Sequence, residues 1–393
     1  MNPIKNPFSP GAGTPPPALV GRKPILDQVR IALARIKDGR SEKSLLLVGL
    51  RGVGKTVLLR SIANEATKLD CQHIFIETPE EGNLSSLLIP PLREILLNLD
   101  RMEGLNSSVK RALRVFRSFL GAIKLGNEMF NISIDVDPEP GVADSGDLQM
   151  DLPTLFIAIA EAAAARKTAI ALIIDEMQYL SEKEFAALIT AIHLVGQKGL
   201  PILLIGAGLP QLVGLAGKAK SYAERLFSYP KIGRLSDEEA RDALCYPVQE
   251  QGVEYETKAI EEIIRITQGY PYFLQEWGYE TWNFSDKSPI SLNDIQSITP
   301  RVINKLDENF FRVRFDRLTP NEKRYLRAMA ELGEGPHRSS DITNFLKIKV
   351  QAGAPIRSTL IEKGMIYSPS YGDTAFTVPL FSDFMKRTIP NFR

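Results

Sequence analysis

The sequence predicts an α/β protein built on a parallel sheet. Short apolar runs of strand length are separated by helical stretches, an alternation typical of parallel sheets because parallel strands need long crossover connections. The predicted strands are Ser44–Val48, Ile74–Ile76, Ala169–Ile174, Ile202–Ile205 and, more weakly, Lys231–Leu235. The first of them runs straight into a glycine turn, as a buried parallel strand does.

Helical periodicity accounts for most of the segments between these strands. The predicted helices are Pro24–Lys37, Val57–Leu69, Leu155–Ala165 and Glu184–Gly196. Between residues 83 and 150 the alternation lapses, so we expect an insertion in the sheet domain there. Its predicted elements are a helix near Leu87–Leu99, a basic helix near Val109–Leu125, a short Phe130–Val136 run and an acidic segment rich in Pro and Gly.

After the last strand a small helical domain is expected. Ser236 and Glu239 form a capping-box pattern that opens a helix, and further helices are predicted over Thr257–Thr267 and Pro271–Asn283. Beyond it, three helical stretches and two short strands describe a winged helix-turn-helix. The predicted domains are a mobile Pro/Gly-rich tail (1–18), the sheet domain (19–235), the helical domain with a linker (236–317) and the winged helix (318–393).

The composition excludes several classes of protein. The 393 residues carry 48 Lys and Arg against 47 Asp and Glu, so any nucleic-acid surface must be a local patch. Two cysteines and three histidines argue against a disulfide scaffold and against a metal site built on Cys or His. No uncharged apolar run approaches a membrane span of ~18 residues, and the N-terminus lacks the order of a signal peptide. We expect a cytoplasmic protein with no membrane partner.

The strongest motif is Gly49–Thr56, which reads GLRGVGKT and fits the phosphate-binding pattern G-x-x-x-x-G-K-[ST]. Its glycines let backbone N–H groups point at phosphates, while Lys55 would reach the β- and γ-phosphates and Thr56 would hold Mg²⁺. A chance glycine-rich turn is the alternative, but this match lies between a predicted strand and a helix. The predicted nucleotide contacts are Gly49, Arg51, Gly52, Val53, Gly54, Lys55, Thr56 and Val57.

A second motif is the apolar strand that ends in Asp175 and Glu176. Asp175 would hold the metal directly or through water, and Glu176 would polarise the attacking water, with Lys55 assisting catalysis at the phosphates. Taken alone, an apolar strand ending in acids is common, because strand ends meet solvent. Together with the phosphate-binding loop it predicts a site for a nucleotide and Mg²⁺, and a P-loop NTPase; the loop alone does not choose ATP over GTP.

These motifs, followed by a helical lid and a winged helix, resemble the AAA+/STAND ATPases, most of all the archaeal-ATPase and origin-recognition-initiator-like branches. The resemblance implies a three-layer αβα fold with a parallel sheet in the order 5-1-4-3-2, and it favours ATP. Asp175–Gln178 is similar to the DExQ form of those branches. Val20, Gly21 and Arg22 are similar to the family's adenine-side box, and Gly269-Tyr270-Pro271 resembles the Gly-x-Pro module, which places Pro271 at the nucleotide.

Two departures from the family pattern bear on turnover. The strand Ile202–Ile205 is followed by Gly206-Ala207-Gly208 where a polar sensor residue is expected, and no sensor-two arginine is evident. These departures imply that hydrolysis is slow or depends on assembly. Arg225 lies where family members often carry an arginine finger, with Arg234 as the competing candidate; a solvated helix arginine is the alternative.

The predicted winged helix carries a local charge excess, with eleven Lys and Arg against seven Asp and Glu over residues 318–393. In such a module the third helix enters the major groove of duplex DNA. The candidate DNA contacts are Arg338, Lys347, Lys349, Arg357 and Lys363. A winged helix that contacts protein is the alternative. The basic helix of the insertion could likewise contact nucleic acid or an acidic membrane, or simply pack its apolar face and solvate its charges.

The sequence therefore predicts an ATP-binding, ATP-hydrolysing switch that couples its nucleotide state to a DNA-binding winged helix. The alternative is a STAND-like signalling scaffold, a homo-oligomer or protein-partnered assembly in which ATP gates self-assembly and the winged helix binds protein. A third interpretation is a nucleotide-binding module with negligible turnover, against which Glu176 argues.

Overall fold

The structure is a computed structural model, and it describes residues 1–11, 13–102, 106–122, 136–333 and 335–392. The chain divides into two compact units. The sheet unit comprises Arg22–Gly49 and Leu58–Lys231, and the helical unit comprises Met1–Gly21, Leu50–Val57 and Ile232–Arg393. Residues 130–135 of the predicted Phe130–Val136 run and the last residues of the predicted basic helix, 123–125, lie outside the described residues.

The parallel sheet confirms the predicted strand order. Its strands are β1 (Ser44–Gly49), β2 (Gln72–Glu77), β3 (Ile170–Asp175), β4 (Ile202–Gly208) and β5 (Phe227–Ser228), arranged β2-β3-β4-β1-β5. Every residue of β1, β3 and β4 is buried, as the continuous apolar runs require when helices cover both faces. The predicted strand Lys231–Leu235 is shorter than expected: β5 and β6 (Lys231–Ile232) flank Pro230, which has no N–H to donate to a ladder.

The longer helices of this part of the chain each bury apolar side chains. They are α1 (Lys23–Lys37), α2 (Lys55–Lys68), α3 (Leu84–Arg101), α4 (Ser107–Ala122), α5 (Leu148–Ala165), α6 (Glu182–Gln197), α7 (Gln211–Ala219) and α8 (Ala223–Leu226). By length and composition α5 could span a membrane, but more than half of it is buried inside the unit. A core helix passes the same test, so this observation is weak evidence for a membrane.

The predicted basic helix, α4, packs rather than presents its charges. Val109, Phe116 and Phe119 are fully buried on its apolar face. On its other face Arg111 pairs with Glu139 at 3.2 Å and with Glu161 at 3.0 Å. These contacts favour the structural interpretation of this helix over a nucleic-acid or membrane surface.

The helical unit begins with the predicted capping box, in which Ser236 and Glu239 bond each other's backbone. Its helices are α9 (Asp237–Gln249), α10 (Thr257–Thr267), α11 (Pro271–Phe284), α12 (Leu292–Leu306) and α13 (Arg312–Asp316), and a π-helical turn, Asp307–Phe311, joins the last two. The sequence analysis found the first three helices and missed α12, the π-helical turn and α13.

The N-terminal segment predicted to be mobile is instead bound to α11. The Asn6 amide donates to Tyr279 O and to Asn283 Oδ1, both at 3.0 Å. Phe8 is 1% exposed and packs where Gly278 has no side chain, since a Cβ there would lie 2.6 Å from the Phe8 ring. Burying one large aromatic side chain offsets part of the entropy lost on ordering a short segment.

The C-terminal residues form a small α/β module. Its elements are α14 (Pro320–Glu331), β7 (His337–Arg338), α15 (Ser339–Phe345), α16 (Val350–Glu362), β8 (Ile366–Tyr367), β9 (Asp373–Phe376) and α17 (Phe381–Thr388). The strands pair antiparallel in the order β7-β9-β8. The three helices and the hairpin were predicted, β7 and α17 were not, and the assignment to the winged helix class stays a prediction.

Candidate nucleotide-binding site

The phosphate-binding loop has the geometry its glycines permit. Gly52 and Gly54 have φ angles of 79° and 90°, in the left-handed region that favours glycine. A Cβ at Gly52 would lie 2.9 Å from Tyr270 Cε1, so this position needs glycine for space as well as for backbone conformation. The loop joins β1 to α2, as its mechanism requires, because the N-terminus of a helix favours a phosphate.

The predicted catalytic lysine is held at this loop. Lys55 is 5% exposed, and its ammonium donates to Leu50 O at 2.9 Å. Val53 is 2% exposed and anchors the loop through its side chain, whereas Arg51, Thr56 and Val57 are half-buried. A buried ammonium beside left-handed glycines fits an anion such as the β- and γ-phosphates of a nucleotide.

The Gly-Tyr-Pro segment contacts the loop directly. Tyr272 N–H donates to Gly52 O at 3.3 Å, one residue after Pro271 begins α11. Gly269 has a φ of 68°, and Leu235 N–H donates to its carbonyl at 2.9 Å. Tyr270 is 2% exposed, and burial raises the pKa of its hydroxyl. The segment therefore packs against the loop, while contact of Pro271 with a nucleotide stays a prediction.

A half-buried arginine that the sequence analysis missed, Arg314, lies close enough to the loop to be affected by the charge of Arg51. Burial, and then the nearby charge of Arg51, lower the pKa of Arg314 to about 10. The Arg314 guanidinium lies 3.9 Å from the centre of the Phe310 ring, and its Nη1 donates to Phe310 O at 2.5 Å. Its Nε atom is buried without a hydrogen-bond partner among the described residues. No local sequence pattern predicts a role for Arg314, because the Arg51 charge that affects its pKa comes from a distant segment of the chain.

The two predicted acids lie at the end of β3, in the sheet unit. Asp175 is fully buried, and its Oδ1 accepts from Glu176 N–H at 2.8 Å. Thr78 N–H, just past β2, donates to Asp175 O at 3.1 Å. Glu176 has a φ of 54°, a strained conformation for a non-glycine residue and one found at functional sites. As expected from the sequence, β4 ends without a polar sensor side chain.

Oxygen donors are what Mg²⁺ prefers, and Thr56 and Asp175 supply a hydroxyl and a carboxylate. Within the described residues, no group of three or more His, Cys, Asp or Glu is placed to hold a metal ion. Nucleotide enzymes commonly hold Mg²⁺ with one or two side chains together with the substrate phosphates. The donor set fits that arrangement.

Residues 18–205 match the family model described as the AAA ATPase domain, across the loop and the acidic strand described above. Residues 18–205 of this chain are an AAA ATPase domain. Residues 308–385 match a second family, described as a domain of unknown function (DUF8462). No curated protein is similar enough in sequence to count as a match.

Solved structures similar to this chain include a Walker-type ATPase of Pyrococcus abyssi, with 17% identity, a TM-score of 0.57, and coverage of 94% of this chain and 96% of that one. A second is ORC1 of Aeropyrum pernix in complex with DNA, with 14% identity, a TM-score of 0.45, and coverage of 94% of this chain and 93% of that one. A third is Cdc6p of Pyrobaculum aerophilum, with 15% identity, a TM-score of 0.46, and coverage of 100% of this chain and 99% of that one. The first likeness establishes a shared fold alone, and the other two support no argument.

The predicted adenine box, at the start of the AAA ATPase domain, is close-packed. Gly21 has a φ of 71°, and a Cβ there would lie 2.6 Å from Glu239 Oε1. Val20 is half-buried, and Arg22 is 7% exposed and immediately precedes α1. The packing explains the glycine, whereas contact of these residues with an adenine stays a prediction.

Both candidates for an arginine finger are exposed. Arg225 lies in the short helix α8, and Arg234 follows β6. A finger acts on a neighbouring molecule, so it must be exposed in a single chain. Surface arginines are exposed too, so the assignment of either residue stays a prediction.

Two of the five candidate DNA contacts are used inside the C-terminal module. Arg357 donates to Thr374 Oγ1, Ser368 Oγ and Asp373 O, each at 2.9 Å. Lys363 pairs with buried Glu322 at 2.8 Å, and this pairing contributes to holding the pKa of that carboxyl below its usual value. These contacts favour a structural role for the two side chains, and their contact with DNA stays a prediction. The other candidates are exposed: Arg338, Lys347 and Lys349.

Proposed function

We propose that this AAA+ ATPase binds ATP–Mg²⁺, hydrolyses it, and uses the cycle as a switch that acts on its C-terminal module. Lys55 and the loop backbone hold the phosphates, and Thr56 and Asp175 hold the metal. When bound, Mg²⁺ neutralises charge that develops on the transferred phosphoryl group. Glu176 orients the attacking water and accepts its proton. We also propose a cytoplasmic location.

The observation that supports a switch is an aromatic chain inside the helical unit. We use this name for Tyr272, Phe310, Phe311, Phe381 and Phe384. Tyr272 N–H donates to Gly52 O, and its ring stacks on Phe310 with centres 4.8 Å apart. Phe310 contacts Phe311 at 5.2 Å. Phe311 in turn contacts Phe381 at 5.6 Å and Phe384 at 5.3 Å, both on α17.

Packed rings transmit displacement because a close-packed interior has no room to absorb it. The aromatic chain runs from the carbonyl of a phosphate-loop glycine to the last helix of the C-terminal module. It passes through the π-helical turn, and single π-helical turns are frequent at functional sites. A nucleotide that moves Gly52 would therefore be felt at α17, which is the coupling that a switch requires.

For the partner of the module we favour duplex DNA. Lys347 and Lys349 are exposed immediately before α16, and Arg338 is exposed on β7. Cations near the start of a helix are placed to contact phosphates and position the helix on a duplex. Binding through them predicts a steep salt dependence, because each phosphate contact releases counterions.

A second candidate is a protein partner, including another copy of this chain. The outward residues of α16 include Val350, 49% exposed, and Ala354, and neither carries charge. Phe345 at the end of α15 is 44% exposed. An uncharged surface of this kind suits protein contact better than base reading. This observation favours the STAND-like interpretation, in which ATP gates assembly.

The proposal is tested by measuring Mg²⁺-dependent ATP turnover of the full chain with and without duplex DNA. We expect Lys55→Ala to lose ATP binding, and Glu176→Gln to keep binding but lose turnover by about 100-fold or more. Lys347→Ala with Lys349→Ala should weaken DNA binding and reduce its salt dependence. DNA binding that is absent at low salt would move the choice to a protein partner, and absent turnover would contradict the ATPase itself.

A further inference from the structure

Gln178 is the side chain that joins the proposed general base to the end of β4. Its Nε2 donates to Glu176 Oε2, and its Oε1 accepts from Leu209 N–H at 3.1 Å. Because a backbone N–H can only donate, Leu209 fixes the orientation of the amide and directs its NH₂ group at the carboxylate. One neutral side chain thus bridges the carboxyl ends of β3 and β4.

The glycines at the end of β4 make this bridge possible. A Cβ at Gly208 would lie 2.8 Å from Gln178 Oε1, and a Cβ at Gly206 would lie 2.0 Å from Met177 Sδ. Met177 is fully buried and anchors the turn that carries Gln178. The strand therefore lacks a polar side chain at the place where the side chains of Met177 and Gln178 lie.

The backbone that carries the bridge has little freedom. Glu176 is left-handed, and Tyr179 N–H donates to Glu176 O at 3.1 Å. Leu180 N–H closes the turn on Met177 O, also at 3.1 Å. With both backbone and amide fixed, the orientation of the Glu176 carboxylate follows the position of Leu209.

We propose that Gln178 is a positioning residue for Glu176. By linking the Glu176 carboxylate to the end of β4, Gln178 does the task expected of the missing polar sensor. This inference rests on the proposed ATP hydrolysis. Holding a carboxylate in one orientation favours transfer of a proton from a water in one place. A displacement of the segment after β4 would then change the rate of hydrolysis while leaving the affinity for ATP unchanged.

The test compares Gln178→Leu with Gln197→Leu, an exposed glutamine at the end of α6. We expect Gln178→Leu to lower kcat by about 10-fold to 100-fold with KM for ATP changed less than about 2-fold. Gln178→Glu keeps the acceptor for Leu209 but cannot donate to Glu176, so it should also lower kcat. The control variant should match the unmodified chain.

A double variant separates positioning from mere support of the fold. Since Gln178 acts through Glu176, adding Gln178→Leu to Glu176→Gln should change turnover by less than about 2-fold. A further large loss in the double variant, or a kcat that falls together with ATP affinity and the unfolding midpoint, overturns the inference. Normal turnover of Gln178→Leu overturns it too while the proposed function stands, whereas no turnover in the unmodified chain overturns both.

Discussion

Gly52, in the phosphate-binding loop, is required for two reasons that a matched variant can separate. Its φ of 79° disfavours any side chain, and its Cα faces the Tyr270 ring. Gly39 has a similar φ of 77° with no atom within 4 Å of an added Cβ. The two positions share the backbone cost and differ in the contact.

We therefore expect Gly52→Ala and Gly39→Ala each to lower the free energy of unfolding by about 1–2 kcal/mol, the cost of a left-handed residue. Only Gly52→Ala should also weaken ATP binding, by about 10-fold, because the loop must shift away from Tyr270. Denaturant unfolding and nucleotide titration measure the two effects. Equal ATP affinities in the two variants would contradict the account.

Arg314 gives a prediction about pH. Burial lowers the pKa of Arg314 to about 10 from an ordinary 12.5, so the unfolded chain binds this proton more tightly than the folded chain. The charge therefore costs stability below pH 10, and the cost is relieved as the pH rises from about 10 towards 12.5.

Arg314→Met, which keeps the apolar stem and removes the charge, should raise the free energy of unfolding at pH 7.5 by about 1 kcal/mol. The advantage over the unmodified chain should shrink at pH 10.5. Arg312→Met, at an exposed arginine of the same helix, is the control and should show neither effect. A less stable Arg314→Met at neutral pH would show that the contacts with Phe310 outweigh the cost of burying the charge.

At the level of elements, the end of β4 is built around the side chains beneath it. A Cβ at Gly208 would meet Gln178 Oε1 at 2.8 Å and Leu212 Cδ2 at 3.0 Å. Gly208→Ala should therefore lower kcat about 10-fold by displacing the amide, and lower the free energy of unfolding by about 1–3 kcal/mol. Steady-state kinetics and denaturant unfolding measure both quantities.

The matched control is Gly214→Ala in α7, where an added Cβ meets nothing within 4 Å. A helical glycine replaced by alanine should leave turnover unchanged and raise stability by up to about 1 kcal/mol. If Gly208→Ala turned over ATP as fast as Gly214→Ala, then the space at this strand end would have no bearing on catalysis.

Elements with a strong local pattern were predictable from the sequence, and the sheet order followed from the resemblance that the motifs carry. The strands were continuous apolar runs, and the capping box at Ser236 marked a helix start. In contrast, α12 was missed although Ser291 and Asp294 form a capping box, because Pro300 lies within the helix and proline disfavours a helix interior. α7 was missed because its two glycines weaken the helical pattern.

The candidate site was predictable in part, because only some of its residues belong to a local sequence pattern. The loop glycines, Lys55 and Asp175 belong to contiguous motifs whose chemistry fixes the spacing. The pKa of Arg314 is affected by the charge of Arg51, more than 260 positions earlier in the chain, and no local pattern predicts such an influence. Likewise, the charges of Arg357 and Lys363 can be read from the sequence, but their hydrogen-bond and ion-pair partners inside the module cannot.

For the whole molecule, the central claim is that the nucleotide state of the phosphate-binding loop reaches the C-terminal module through the aromatic chain. The aromatic chain holds several packed rings between Gly52 and α17. Coupling requires that a change of nucleotide at the loop produce a measurable response in α17 at the other end of the aromatic chain.

The most direct test is backbone hydrogen exchange of residues 318–392 in Glu176→Gln, with ATP and with ADP. We predict that protection of α17 differs between the two nucleotides, and that Phe310→Leu removes the difference while ATP still binds. Phe284→Leu, at an aromatic residue 44% exposed in the same unit, is the control and should keep the difference. Identical exchange of α17 with ATP and with ADP, in a chain that binds both, would contradict the switch.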